Sequence, residues 1–198
     1  MKKTTIIKDK YCEVYLIENA FDLSMNEFNQ LKEGINWRKD IIRIFGKEVY
    51  IPRHQAWFAD HQKLTYKYSS IKLSPLFWND ELLKIKNMAQ KTTGEIFNSA
   101  LVNLYETGKD YAAWHSDNEK ELGENPTIAS VSFGATRSFH LRHLKNNHTY
   151  KINLPHNSIL LMKGATQHIY KHQLAKTAKP VGPRINITFR YVRLSLSS

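Results

Sequence analysis

Arg184-Ile185-Asn186-Ile187-Thr188-Phe189-Arg190-Tyr191 alternates polar and apolar side chains without a break. In an extended chain, period two puts Arg184, Asn186, Thr188 and Arg190 on one face and Ile185, Ile187, Phe189 and Tyr191 on the other. The apolar face predicts core. The polar face carries two guanidinium groups six residues apart, about 20 Å along a strand that rises ~3.3 Å per residue. Two readings stay open at this point: an exposed face on an edge strand, or a face that looks into a barrel. In the second case anions must meet both cations, because unpaired buried charge is not tolerated. A small dicarboxylate gripped by two Arg forks would satisfy them.

Upstream of this segment the texture is that of short strands. Leu101, Asn103 and Tyr105 alternate against Val102 and Leu104, and the runs 128–133 and 138–142 flank a turn at Gly134-Ala135. Runs 158–162 and 166–172 read as further strands. Many short strands at regular spacing predict a sandwich or barrel of the jelly-roll type. Earlier still, Ser24-Met25-Asn26-Glu27 has the capping-box form, followed by Met25, Phe28, Leu31 and Ile35 at helical spacing. A second helix is expected to start between Pro75 and Asp80, to carry Leu82, Leu83, Ile85, Met88 and Ala89 on its apolar side, and to stop at Gly94. The expected order is therefore helices first, then a β core.

The 198 residues suit a single domain, and an apolar fraction of 41% with 12% aromatic supplies a core. Apolar runs fall far short of the ~20 residues that a membrane span needs. Lys8, Asp9 and Lys10 follow too soon for a signal-peptide segment, and Cys12, the one cysteine, excludes an internal disulfide and fits a reducing compartment. The reading is cytoplasmic, or nuclear if the chain is eukaryotic. Lys and Arg total 29 against 18 Asp and Glu, a net charge of +11, which concentrates polyanions and above all nucleic acid. Lys63, Lys67, Lys72, Arg137, Arg142, Lys145, Lys171, Lys176 and Lys179 are candidate phosphate contacts.

His115-Ser116-Asp117 is an H-x-D triplet whose two side chains can share one metal on an extended segment. His168 and His172 both qualify as a third ligand. Two His and one carboxylate leave coordination positions open, as in non-haem Fe(II) oxygenases. His140, His143, His148 and His156 read as surface or structural.

These segments together resemble a known family. Asn103-Leu104-Tyr105, Gly108-Lys109-Asp110, Trp114 to Glu119, IASVSFGATRSF (128–139), LPHNSILLM (154–162) and PRINITFR (183–190) are similar to AlkB-type 2-oxoglutarate- and Fe(II)-dependent nucleic-acid dealkylases. The likeness continues upstream through Ile44-Phe45-Gly46-Lys47, Pro52 to Ala56, Leu64-Thr65-Tyr66 and Leu73-Ser74-Pro75, closest to the branch that repairs duplex DNA. Trp114, Ser116 and Asn118 depart from that branch.

The resemblance implies an α+β protein with a double-stranded β-helix (jelly-roll) core, N-terminal helices and a nucleotide-recognition lid. It would be one domain, 1–198, with helices and lid in 1–98 and the catalytic core in 99–198. It implies Fe(II) on His115, Asp117 and His172, the last rather than His168. The cosubstrate 2-oxoglutarate would sit with its distal carboxylate on Arg184 and its metal-side carboxylate on Arg190, supported by Asn103, Tyr105 and Asn186. The implied chemistry turns 2-oxoglutarate and O2 into succinate and CO2 while an N-methyl group of 1-methyladenine or 3-methylcytosine leaves as formaldehyde. The base must be flipped from the helix. Tyr68 would stack on it opposite His115, with Tyr66 and Arg53 lining the pocket, Glu119 accepting from an exocyclic amine and Phe45 wedging into the vacated stack. The implied partner is alkylated DNA, double- or single-stranded, met by a monomer that binds no membrane. The competing readings are the same chemistry on RNA, on a protein or on a small molecule, and a non-catalytic nucleic-acid-binding module.

Overall fold

The computed structural model describes residues 1–44, 47–64, 66–68 and 71–193. The chain opens with two strands, β1 (Lys2–Lys8) and β2 (Cys12–Glu18), before the helix α1 (Met25–Glu33). A hairpin of β3 (Ile41–Ile44) and β4 (Lys47–Tyr50), the strand β5 (His54–Ala59), and a small hairpin of β6 (Tyr66–Tyr68) and β7 (Ile71–Leu73) lead to the helix α2 (Asp80–Thr93). Then follow β8 (Ser99–Tyr105), β9 (Ala112–His115), β10 (Ile128–Gly134), β11 (Arg137–His143), β12 (Thr149–Leu154) and β13 (Ser158–Gly164). A short helix α3 (Thr166–Ile169), β14 (Tyr170–Leu174) and β15 (Arg184–Arg190) complete the fold.

A seven-stranded sheet of order β1-β2-β13-β10-β15-β8-β5 faces a four-stranded sheet of order β12-β11-β14-β9. Every strand pair in both is antiparallel, giving the jelly-roll expected from the sequence. The order of elements differs from expectation. Strands rather than helices come first, and β1, β2 and β5 extend the same large sheet, so residue 98 does not divide it.

The layers follow from β15. Ile185, Ile187 and Phe189 are fully buried in one apolar cluster with Phe28 and Leu31 of α1 and Leu82, Ile85 and Ala89 of α2, so the helices cover the outer face of the large sheet. Each such side chain contributes roughly 1.5–3 kcal/mol by leaving water. A second cluster, including Leu101, Leu160, Phe139, Leu141 and Ile152, fills the space between the sheets. The polar face of β15 looks into that inner space, and Arg184, Asn186, Thr188 and Arg190 are all buried. Of the two open readings the barrel interior holds.

Both helix ends are built as their sequences predict. Ser24 and Glu27 close the capping box, and Gly94 ends α2 in the left-handed conformation at φ 75°. Met25 and Met88, expected on the apolar faces, are 54% and 42% exposed, because the stripes that meet the sheet are Phe28–Leu31 and Leu82–Ile85–Ala89. Tyr191 lies past the end of β15 and is exposed. The segment 166–172 is not one strand. It turns at Gly164 (φ 65°), makes the short helix α3 and only then enters β14, which leaves His168 exposed and His172 buried.

The turn from β10 to β11 depends on Gly134. Its φ is 83°, and a Cβ there would lie 2.4 Å from the Pro183 carbonyl oxygen and 2.8 Å from the Phe28 ring. Gly134→Ala is expected to lower stability by about 2–4 kcal/mol, combining left-handed strain with overpacking; a urea midpoint equal to that of the parent chain would contradict this account.

Candidate metal centre and cosubstrate cavity

His115 reaches the inner space through an irregularity of pairing. Residues His172 and Leu174 of β14 face His115 and Ala112 of β9, so one intervening residue on β14 is set against two on β9. This bulge turns both Ala112 and His115 inward, although they are an odd number of residues apart. The ring is then fixed by a bond from Nδ1 to the Ala113 carbonyl oxygen at 2.7 Å. A carbonyl can only accept, so Nδ1 carries the proton and the Nε2 lone pair points into the cavity.

Asp117 follows on the loop after β9. Its amide donates to Gln167 Oε1 at 3.0 Å, and Ser116 Oγ donates to the Tyr170 carbonyl at 2.9 Å, which ties this loop to α3 and the start of β14. Oδ2 accepts from Arg190 Nη2 at 2.7 Å and Nε at 3.2 Å. Oδ1 is buried with no hydrogen-bond partner among the described residues. His172, opposite His115 across the sheet, stacks on Phe139 at 5.2 Å between ring centroids.

One donor atom from each of His115, Asp117 and His172 lies within 4.8 Å of the others. The two Nε2 atoms are 3.2 Å apart, and His115 Nε2 is 3.8 Å from Asp117 Oδ1. Neighbouring donors on one six-coordinate ion sit about 3 Å apart, so this set fits a divalent cation. Electrostatics agree. Burial holds both imidazoles below their ordinary range, which keeps the lone pairs available, although the charge of Asp117 opposes this. Burial by itself would raise the Asp117 carboxyl, but Arg190 and the two imidazoles outweigh it and hold it well below the usual carboxylate range. The orphaned Oδ1 and the facing nitrogens are what a metal would satisfy.

The same cavity continues along β15 to Arg184. Arg184 is 2% exposed, and its guanidinium donates through Nη2 to Ser132 Oγ at 2.9 Å and lies 5.4 Å from the Tyr105 ring centroid. Its Nε has no hydrogen-bond partner among the described residues, and burial pulls the guanidinium pKa down to about 10, still cationic at neutral pH. A buried cation with an unused donor fits a carboxylate. The donor set and the two guanidinium groups thus fit Fe(II) and 2-oxoglutarate.

The remaining expected residues divide. Arg53 lines the cavity, and its Nε donates to Asn103 Oδ1 at 2.9 Å. Asn186 uses both N–H groups, on Ser130 Oγ at 2.8 Å and the Val131 carbonyl at 2.9 Å, and accepts from Thr188. These bonds brace the strand pairing and hold Asn186 in the wall of the cavity, beside Arg184 and Arg190. Glu119 is half-buried at the start of a 3-10 turn, Lys120–Leu122, outside the cavity lining. Phe45 lies outside the described residues. Tyr66 and Tyr68 are on β6, and their side chains also lie outside what is described.

Sequence reasoning missed Gln167, Ser130, Ser132 and Phe139, and misplaced Arg137. Arg137 is 3% exposed and donates to the carbonyls of Thr107, Asp110 and Ala175 at 3.0, 2.7 and 2.8 Å. It therefore staples the loops after β8 and β14 together and is not a phosphate contact. Arg137→Met is expected to lower stability by about 3 kcal/mol or more, since three carbonyls lose a charged donor, as read by urea unfolding. Asp117→Ala should weaken Mn(II) binding by roughly 100-fold or more in calorimetric titration, and unchanged affinity would remove the metal centre.

Comparison with known proteins agrees with this geometry. The pattern of the 2OG-Fe(II) oxygenase superfamily matches residues 13–190. The chain is 41% identical over 175 residues to the alpha-ketoglutarate-dependent dioxygenase alkB homolog 3 of Bos taurus, covering 83% of this chain and 60% of that protein. Against the Homo sapiens alkB homolog 3 it is 43% identical over 151 residues, 71% of this chain and 52% of that one. Against the DNA oxidative demethylase ALKBH2 of Arabidopsis thaliana it is 34% identical over 198 residues, 87% and 63% respectively. The chain thus spans 52–63% of the length of these relatives. The solved structure of OsALKBH1 shares the fold, with a TM-score of 0.61 at 15% identity over 90% of this chain and 96% of that one. A superfamily match over nearly the whole chain, with these relatives, shows that the chain belongs to the 2OG-Fe(II) oxygenase superfamily, in its AlkB-type branch.

Proposed function

We propose that the protein is an oxidative dealkylase that removes N-methyl groups from 1-methyladenine and 3-methylcytosine in DNA, in direct repair of alkylation damage. The observation that carries the reading is the buried His115–Asp117–His172 donor cluster sharing one cavity with Arg184 and Arg190. The similarity to relatives that include a DNA oxidative demethylase supports the substrate class.

In this reading His115, Asp117 and His172 hold Fe(II). When bound, Fe(II) and 2-oxoglutarate supply O2 activation, with loss of CO2 from the cosubstrate and transfer of oxygen to the methyl carbon. Arg184 takes the distal carboxylate, and its unpartnered Nε gives that carboxylate a second N–H. Arg190 fixes Asp117 through Oδ2, which leaves Oδ1 for the metal, and its charge faces the carboxylate on the metal side. Tyr105 forms one wall beside Arg184, and Asn103 holds Arg53 in place. His115 is the ligand open to solvent, with its side chain 27% exposed, so the base approaches on that side. Arg53 beside it, together with Glu119, Tyr66, Tyr68 and the wedge Phe45, are the proposed contacts of the flipped nucleotide. Cys12 is a free thiol, which suits the proposed cytoplasmic or nuclear setting, and no helix among the described residues is long and apolar enough to cross a membrane.

The test is a product assay with Fe(II), 2-oxoglutarate and methylated oligonucleotides as single-stranded DNA, duplex DNA and RNA. On DNA, formaldehyde and succinate are expected in equal amounts from the parent chain, and both are expected to be lost in His115→Ala and Asp117→Ala. Succinate without formaldehyde on all three substrates would leave the cosubstrate chemistry and remove the nucleic-acid substrate; a preference for RNA would move the proposal to that polymer.

A further inference from the structure

The small sheet has a second face, turned away from the metal. Alternation along β11 and β14 buries Phe139, Leu141, Tyr170, His172 and Leu174, so Ser138, His140 and Arg142, and Lys171 and Gln173, point outward. On β12 the outward positions are Thr149, Lys151 and Asn153. Register places Arg142 directly opposite Lys171 on one side and Thr149 on the other, with His140 between Gln173 and Lys151. The bulge that turns His115 inward leaves Trp114 among this group. Arg142 Cζ lies 4.2 Å from the Trp114 ring centroid, Lys171 Nζ 5.8 Å and the His140 ring 6.3 Å.

This face carries three fixed cations, one histidine and no carboxylate. Like charges directly opposite on neighbouring strands cost stability, and a surface that served solubility alone would intersperse acids. Among the described residues Arg142, Lys171 and Lys151 have no ion-pair partner, and Trp114 is the group that offsets two of them. Burial, and after it the charges of Lys151 and Arg142, hold the His140 imidazole below its ordinary range. An aromatic ring interleaved with unopposed cations suits a polynucleotide, whose phosphates meet the charges and whose bases stack. Trp114 adjoins His115, the solvent-open ligand, so the face begins at the mouth of the cavity.

We propose that the outer face of the small sheet, built on Trp114, Arg142, Lys171 and Lys151, binds the strand of nucleic acid flanking the base that enters the cavity. Phosphates rest on the three cations and a flanking base packs on Trp114. This rests on the nucleic-acid reading above and names where the polymer runs.

The test uses the full chain and a labelled unmethylated single-stranded oligonucleotide, titrated by fluorescence anisotropy over a KCl series. Arg142→Gln with Lys171→Gln is expected to weaken binding about 5- to 20-fold near physiological salt. It should also lower the slope of log affinity against log salt by about 1.4, that is, ~0.7 per lost contact on a single strand. Thermal midpoint should equal or exceed that of the parent chain, since a like-charged cross-strand pair is relieved. The charge-matched control is Lys84→Gln with Lys91→Gln on α2, across the molecule, which should leave binding within about twofold. Quenching of tryptophan emission by the oligonucleotide should fall in Trp114→Leu. Equal weakening by both pairs, or an unchanged slope in the first, would overturn this surface while leaving the polymer a ligand. A parent chain that binds no oligonucleotide would overturn the nucleic-acid reading itself.

Discussion

Asp117 is a carboxylate fully enclosed by protein, and the contact that makes this tolerable is the pair of bonds it accepts from Arg190 on a single oxygen. A buried ion pair gains little over an apolar substitute, but losing one member strands the other at a cost of about 3–5 kcal/mol. The pair therefore ties the last strand to the loop after β9 in a way that simple packing would not. It also divides the carboxylate into two unlike oxygens, one saturated by the guanidinium and one left unpartnered toward the imidazoles. The direction in which Asp117 can act is set by Arg190 before any metal arrives.

From that constraint the rest of the layering makes sense. β15 must place Arg190 inward, so Ile185, Ile187 and Phe189 must face outward from the barrel, and an apolar outer face needs covering. The helices α1 and α2 provide the cover. A strand with core on one side and chemistry on the other is the feature around which both sheets and both helices are arranged. Phe28, in contact with the turn glycine Gly134, shows how closely that outer layer is fitted to the inner one.

How much of this the sequence reveals depends on whether an element has two unlike faces. β15 was readable because its faces differ at every step, and α1 and α2 because their caps are local. β2 and β5 were not, since they are buried on both sides, and CEVYLIE and HQAWFA lack the alternation that marks a half-exposed strand. The segment 166–172 misled for the opposite reason, because a single turn of helix before β14 leaves too short a pattern to identify. The triad could be proposed from residue types, but its convergence depends on cross-strand register, which no local spacing states. Arg137 was indistinguishable from the surface cations, since its three acceptors are backbone carbonyls contributed by segments up to 38 residues away. Local spacing does not separate His172 from His168, whereas family resemblance does; the physical reason is that α3 turns His168 to solvent.

The extra residue in β9 has a further consequence. Without it, strict alternation would give Ala112 and His115 opposite sides, and a one-residue deletion would exchange the imidazole for its aromatic neighbour at the cavity wall. Because the irregularity is there, two adjacent side chains serve two different compartments of the molecule. Selection could therefore vary the outward tryptophan, and with it the ligand-facing exterior, while the histidine beside it stays anchored to Ala113.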